Sequence, residues 1–366
     1  MAKKKVGIIY GGKSAEHEVS LQSAKNIVDA IDKEVYDVVL IGIDKQGKWH
    51  LGDPSSHLLN EENPKLISLN KSNKGVALVP GESEKQLVSL SQDEGLDQLD
   101  VVFPIVHGTL GEDGSMQGML RIANIPYVGS NVLGSAVCMD KDIAKRLLKG
   151  AGISVANGVT FSKHQRESIN YVEVEKKLGL PMFIKPANQG SSVGVNKVRN
   201  EEEFYQAIAE AFQYDHKLII EEAIVGREVE CAVLGNEHPK ASIPGEILPQ
   251  SDFYSYESKY IDENGAELAI PADLSAELVE KIQNASIHAF QALNCEGLAR
   301  VDFFLKEDGE LVVNEVNTLP GFTKISMYPK LWEISGISYS ELISQLIELA
   351  VERHERDQQL KSAVWE

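Results

Sequence analysis

Positive charge is scarce in this chain: 36 lysines and arginines stand against 55 aspartates and glutamates, a net charge of −19. Phosphate backbones and anionic bilayers recruit basic surfaces, so nucleic acid and membrane are not expected partners. Cysteine is also scarce. Cys138, Cys231 and Cys295 are odd in number, far apart and without C-x-x-C or histidine-cluster spacing. That argues against a disulfide framework or a zinc site and for buried, inert thiols in a reducing cytoplasm. No apolar run approaches the length of a membrane span. The opening MAKKKVGIIYGG has a basic start but an apolar run of strand length only, too short for a secretion signal. Repeats and long low-complexity tracts are missing too. What is left is the composition of a soluble globular protein, 43% hydrophobic and 25% charged, with room for two or three domains.

The apolar pattern is that of an α/β chain. Residues 6–10 and 35–43 read as buried strands around a helix over 20–32, and DVVFPIVHG returns to a buried strand. Residues 49–98 are polar, with strand-like islands such as VALV, and read as a surface elaboration. A second unit opens near Met139, where Asp140 caps a helix ended by Gly150. It continues through the strand PMFIKP, the helix EEEFYQAIAEAF and the strand LIIEEA. A third unit starts near Gly226, with a long helix over 275–293 and another over 341–354. The expected division is 1–138, 139–225 and 226–366.

RVDFFLKEDGELVVNEVN, from Arg300, reads as a hairpin with Asp308-Gly309 as a two-residue turn. That register pairs Glu307 with Glu310, Lys306 with Leu311, Phe304 with Val313, Asp302 with Glu315 and Arg300 with Asn317. Arg300, Asp302, Glu315 and Asn317 then share a face. Directly opposed carboxylates repel. Either both lie in water or a cation lies between them. Phe304 and Val313 on that face, and Val301, Phe303 and Leu305 on the other, favour burial. Two carboxylates and an amide oxygen are hard ligands of the kind Mg²⁺ accepts together with substrate phosphates.

A phosphate site is therefore expected elsewhere. GIIYGGKS, at residues 7–14, has the spacing G-x-x-x-x-G-K-[ST] of a P-loop. Its context refutes it: Gly7 falls inside a strand, and Gly11-Gly12 alone is too short to wrap a triphosphate. FIKPANQGSSVGV, from Phe183, is the better candidate. A strand delivers Lys185, and Gly190-Ser191-Ser192-Val193-Gly194 offers unblocked amides and hydroxyls as an anion-binding concavity. A mobile linker would also use Gly and Ser, but explains neither the Lys-Pro entry nor the return to strand at VGVNKV.

With both pieces placed, the chain resembles the ATP-grasp superfamily and within it the D-alanine–D-alanine ligases. GGKSAEHEVSLQSA, VHGTLGEDGSMQGML, YVGSNVLGSAVCMDK, KPANQGSSVGV, FYSYESKY, RVDFF and NEVNTLPGFTKISMYP are similar to that family's segments, in its order. The resemblance implies a Rossmann-like N-terminal α/β domain, a small central lobe and a C-terminal lobe, with ATP held between the last two. It implies Lys141 and Lys185 on ATP phosphates, Ser192 in the phosphate loop, and Glu221 and Glu228 near adenine and ribose. Lys259 would approach the γ-phosphate and the second substrate. Asp302, Glu315 and Asn317 become ligands of two Mg²⁺ ions, with Mn²⁺ as a substitute. Glu16 and His107 would hold the first D-alanine, Arg300 and the Gly321 amide the oxyanion, and Ser326 the second carboxylate. Tyr260, Ser191 and Glu16 would close the loop over the site, under a lid at residues 251–265. A cytoplasmic homodimer making D-alanyl-D-alanine for peptidoglycan is implied.

The chemistry fits those residues. A carboxylate resists amine attack, and γ-phosphoryl transfer converts it to an acyl phosphate while positioned cations spread the charge. The tetrahedral intermediate then needs aimed donors, and a lid excludes water. On residues alone, His107 reads as an ordinary loop histidine, His17 as surface and Glu16 as a helix-start acid. Two rivals stand beside this reading. One is a depsipeptide ligase joining D-alanine to a D-hydroxy acid, discriminated by the Lys259-Tyr260 pair. The other is a nucleotide-binding regulator without catalysis, which has no need of Arg300.

Overall fold

The protein is described by a computed structural model covering residues 3–53, 56–61, 63, 66–72, 74–82, 86–90, 98–249, 266–323 and 325–361. KKVGIIYG forms β1 (Lys4–Gly11), in which Val6, Ile8, Ile9 and Tyr10 are all fully buried, as a central parallel strand requires. β2 (Tyr36–Ile43) and β8 (Val101–Ile105) flank it in parallel, and β3 (Trp49–Leu51) pairs antiparallel with β2. α1 (His17–Ala30) joins β1 to β2 and buries Val19, Leu21, Ala24 and Ile27.

The polar stretch from residue 49 to 98 is more than decoration. Besides β3 it holds the hairpin of β4 (Leu58–Leu59) with β5 (Ser68–Leu69) and that of β6 (Val76–Leu78) with β7 (Leu87–Ser89). Leu58, Ile67 and Leu69 join the core under β1, while Val76 and Leu87 pack beside Ile9 and Ile41. Strands of two or three residues carry no readable periodicity, which is why the sequence shows only islands.

After α2 (Ser115–Ile122) and α3 (Val132–Met139), Asp140 caps α4 (Lys141–Gly150) as expected, its Oδ1 accepting from Ile143 N at 3.2 Å. A second, antiparallel sheet runs β11-β10-β12-β9, from β9 (Gly158–Ser162), β10 (Met182–Pro186), β11 (Asn196–Val198) and β12 (Lys217–Glu222). α5 (Tyr171–Leu178) and α6 (Glu201–Tyr214) supply its core with Val174, Phe204, Ile208 and Phe212. The third sheet holds β13 (Arg227–Gly235), β14 (Lys240–Ala241), β15 (Gly245–Pro249), β16 (Ala266–Ala269), β17 (Gly297–Leu305) and β18 (Leu311–Asn317). Its order is β16-β15-β13-β17-β18, with β14 on β13. α7 (Ala276–Ala292) packs on β13 and β17, followed by α8 (Met327–Ile334) and α9 (Tyr339–Gln358).

One core is shared by the two ends of the chain. Val6, Ile8, Leu40 and Phe103 cluster with Leu298, Phe322, Trp332, Leu342 and Ile347. Arg353, on α9, is 4% exposed; its guanidinium donates to the carbonyls of Tyr127 (2.7 Å) and Gly129 and lies 4.4 Å over the Tyr127 ring.

The β17–β18 hairpin has the expected register at one end only. Arg300 pairs with Asn317 and Asp302 with Glu315, but Phe303 pairs with Val313, Phe304 with Val312 and Leu305 with Leu311. A bulge at Asn314 absorbs the extra residue. The turn is correspondingly longer: Lys306 N donates to Glu310 O at 2.9 Å and Gly309 N to Lys306 O at 3.0 Å, with Gly309 at φ +81°. A three-residue loop closed by a left-handed glycine replaces the two-residue turn. Val313 therefore leaves the Asp302 face and joins Phe303 in the core.

Candidate active site

The site is assembled where the three sheets meet. β1 ends in Gly11 and Gly12, both at positive φ, so the chain can turn sharply into α1. Glu16 stands at the N-cap position of α1, yet its side chain makes no capping bond. It reaches across instead, accepting from Ser191 Oγ in the phosphate loop. A β-carbon at Gly108 or Gly190 would stand 2.6 or 2.9 Å from Glu16 Oε2, so both glycines leave room for this carboxylate.

His107 is 2% exposed, no loop-surface residue. Its Nδ1–H donates to Leu319 O at 3.1 Å, with Glu112 Oε1 at 3.4 Å, and its Nε2 lies 3.0 Å from Ser23 Oγ. His17 is 4% exposed, correcting its reading as surface: Nδ1 bonds Gly12 O at 2.7 Å and pins the turn.

The phosphate-loop candidate carries backbone strain. Ser191 and Ser192 lie at φ +52° and +61°, a left-handed pair that non-glycine residues rarely adopt, followed by Gly194 at +67°. Lys141 Nζ donates to Gln189 O at 2.7 Å at the loop entrance and lies 3.5 Å from Glu315 Oε2. Lys185 Nζ lies 2.8 Å from Glu221 Oε2 and donates to Asn314 Oδ1 at 3.4 Å. Glu221 is 2% exposed, and its Oε1 is 2.7 Å from Lys145 Nζ. Burial alone would raise the Glu221 carboxyl; Lys145 and Lys185 outweigh it and hold it down to about 2. The lysines diverge. Burial pulls Lys145 below its ordinary value, whereas Lys185, whose burial acts the same way, is raised by Glu221, Glu315 and Glu228.

Across β13, β17 and β18, the residues Glu230, Asp302 and Glu315 stand side by side in register. Arg300 neutralises two of them. Its Nε and Nη2 each donate to an Asp302 oxygen at 2.7 Å, and Nε is 2.8 Å from Glu230 Oε2. Asn317 Nδ2 donates to Asp302 Oδ2 at 3.0 Å. Among the described residues no three His, Cys, Asp or Glu side chains converge as a metal cage. Asp302, Glu315 and the Asn317 amide instead form a set of hard oxygen donors whose charge already draws Arg300 and Lys141. That donor set fits Mg²⁺. Ser326 Oγ accepts from Thr323 N at 2.9 Å just ahead of α8, and a β-carbon on Gly321 would come within 2.7 Å of it.

Two cavities result. A cleft of about 450 Å³ between the second and third sheets is lined by Lys141, Lys185, Ser192, Glu221, Glu228 and Phe304, among others. A smaller one of about 90 Å³ is lined by Glu16, His107, Arg300, Asn317, Gly321 and Ser326. They share Gly190, Ser191 and Glu315. Lys259 and Tyr260, with the lid expected at 251–265, lie outside the described residues.

Sequence reasoning passed over Glu112, Glu230, Asn314 and Lys145. Glu230 was within reach, since it follows Glu228 by two and shares its face. Asn314 lines the cleft beside its neighbour Glu315 only because the bulge turns two consecutive residues the same way.

Two sheets closing on a lysine-bearing nucleotide-sized cleft define an ATP-grasp enzyme. The model of the D-Ala–D-Ala ligase N-terminus matches residues 5–130 and that of the C-terminus residues 147–348. The D-alanine–D-alanine ligase of Oceanobacillus iheyensis is 70% identical over 361 residues, 99% of each chain. Among solved structures, the D-alanine–D-alanine ligase from Coxiella burnetii aligns with TM-score 0.84 at 42% identity, covering 98% of this chain and 97% of that one. The VanG D-Ala:D-Ser ligase from Enterococcus faecalis aligns with TM-score 0.83 at 40% identity, covering 95% and 100%. The chain belongs to the D-alanine–D-alanine ligase family, ATP-dependent enzymes of peptidoglycan synthesis.

Proposed function

We propose that this chain joins two D-alanines into D-alanyl-D-alanine, with the chemistry divided between the two cavities. The meeting of the cleft and the small cavity at Ser191 and Glu315 carries the reading, because a γ-phosphoryl group at that junction faces a carboxylate held in the small cavity. Lys141 and Lys185 receive the ATP phosphates, Ser192 and the loop amides wrap them, and Glu228 faces the ribose. Glu221 holds Lys185 in place from beneath.

Asp302, Glu315 and Asn317 would hold two Mg²⁺ ions, or Mn²⁺ in their place. The bound metal would neutralise charge on the transferring phosphoryl group. Glu16 takes the first ammonium, and His107, backed by Glu112, its carboxylate. Arg300 and the Gly321 amide face the developing oxyanion, and Glu230 fixes the direction of that guanidinium. Ser326, at the start of α8, takes the second carboxylate, where a helix N-terminus favours an anion. Lys259 and Tyr260 complete the set from the lid.

In this reading the chain is divided into the units 1–138, 139–225 and 226–366, and two copies of it form a cytoplasmic homodimer. Among the described residues no helix is long and apolar enough to cross a membrane, and the charge of −19 disfavours nucleic acid.

The test incubates the protein with ATP, Mg²⁺ and a panel of D-amino and D-hydroxy acids. The expected outcome is phosphate release that requires D-alanine, with the dipeptide as main product from a D-alanine and D-lactate mixture near neutral pH. A majority of depsipeptide overturns the substrate assignment.

A further inference from the structure

Glu221 faces two ways. Its Oε2 meets Lys185 in the nucleotide cleft; its Oε1 meets Lys145, which lines a different cavity of about 600 Å³ between α4, β9 and the end of α5. Neither lysine lines the other's cavity. Lys145, Arg146, Lys149 and Lys177 line the second cavity, against the single carboxylate Asp142.

That carboxylate is already satisfied. Asp142 accepts from Arg146 Nε at 2.8 Å and Thr160 Oγ1 at 2.9 Å, and Lys217 Nζ lies 3.5 Å away. Lys149 and Lys177 are exposed and have no ion-pair partner among the described residues. Lys145 is 7% exposed and shares its one carboxylate with Lys185. In a chain of net charge −19, a concavity lined by four cations, of which Arg146 and Lys145 are compensated by Asp142 and Glu221 while Lys149 and Lys177 have no ion-pair partner among the described residues, is a local reversal of sign.

We infer that this cavity is a second anion site, taking a small divalent oxyanion such as a phosphate or sulfate group, and that its occupancy is felt in the nucleotide cleft through Lys145 and Glu221. Arg146 offers a planar fork and the lysines offer point charges, the usual means of holding such a group. The direction of the coupling follows from charge. An anion drawn to Lys145 competes with Glu221 for it, and Glu221 then holds Lys185 more tightly, away from an incoming phosphate. Occupancy therefore weakens ATP binding, and ATP weakens the anion by the same factor. The coupling rests on the nucleotide reading of the cleft; the anion site itself does not.

Sulfate is the probe, being divalent at working pH and no product of the ligation. The full chain is titrated with sulfate at constant ionic strength made up with chloride, first alone and then with the cleft filled by a non-hydrolysable ATP analogue, which leaves only the second site open. One sulfate per chain is expected. Its affinity should fall about tenfold or more in Lys149→Ala/Lys177→Ala, a loss of about 1.4 kcal/mol. Turnover without sulfate stays unchanged in that variant. Sulfate raises the KM for ATP severalfold in the native chain and in Lys149→Arg/Lys177→Arg, and not in the alanine variant. No sulfate binding, or equal affinity in the alanine variant, overturns the site; a KM that does not move, or moves equally in both, overturns the coupling. A separate ADP titration without sulfate tests the nucleotide reading on its own.

Discussion

Glu221 shows how one buried carboxylate can serve two lysines. Its carboxyl ordinarily titrates near 4.5 and is held at about 2 in the folded chain. A depressed carboxyl contributes stability that is fully present above the unfolded value and is lost as pH falls through the folded one. The window is therefore pH 4.5 down to 2, and the contribution at neutral pH is on the order of 3 kcal/mol. Glu221→Gln should cost about 3–5 kcal/mol at pH 7, because two lysines lose their counter-charge in a buried setting. Denaturant melts at pH 7 and pH 3 check the sign: the gap between native and variant must shrink in acid. A second residue-scale comparison concerns Lys13 and Lys185. Lys13 is exposed beyond a two-glycine turn, whereas Lys185 sits at the floor of the cleft. Lys185→Ala should lose about tenfold or more in ATP affinity, the worth of about 1.4 kcal/mol, while Lys13→Ala changes it less than about twofold. Calorimetric titration of both variants decides between them.

At the scale of the element, the β17–β18 hairpin matters most. The bulge at Asn314 frees Val313 N to donate to Ser154 O at 2.9 Å, tying β18 to the chain that enters β9. The pairs on either side survive removal of the extra residue, since Phe303 would still face Val313 and Asp302 would still face Glu315. Deleting Asn314 should therefore leave the thermal midpoint within a few degrees, a stability change of about 1 kcal/mol. It should nonetheless weaken nucleotide binding by about tenfold, because Lys185 loses the Asn314 amide and Glu315 loses its aim. Thermal melts and analogue titration together separate the two effects. The same hairpin shows what the sequence makes legible. The facing of Asp302 and Glu315 follows from period-two alternation counted from a turn, and it holds. Counting could not reveal that the turn is one residue longer and the strand one residue richer, because the two offsets cancel at the Asp302–Glu315 end. Long-range partners were equally hidden. Nothing near Glu221 in the sequence points to Lys145, and nothing near His17 shows that it anchors the glycine turn. The large strands and helices, with strong apolar patterns, were readable; β4 to β7 were too short to be.

Over the whole molecule, Arg353 is a tie between the last helix and the first sheet's neighbourhood, buried against two carbonyls and an aromatic face without a carboxylate partner among its hydrogen bonds. Arg353→Ala should destabilise the fold by about 2–4 kcal/mol, through lost packing and two unsatisfied carbonyls, with KM for ATP unchanged. Urea melts beside steady-state kinetics test this. The core that α9 completes draws on β1, β2 and β8 and on residues as late as Ile347 and Ala350. During synthesis, α1 and the β4–β5 hairpin can cover part of the first sheet at once, but the part that α8 and α9 complete waits until they leave the ribosome, a delay on the order of tens of seconds at cellular elongation rates. A ribosome stalled before Tyr339 would release a polypeptide whose first core lacks Leu342, Ile343, Leu346 and Ile347 and so exposes the apolar side chains they cover.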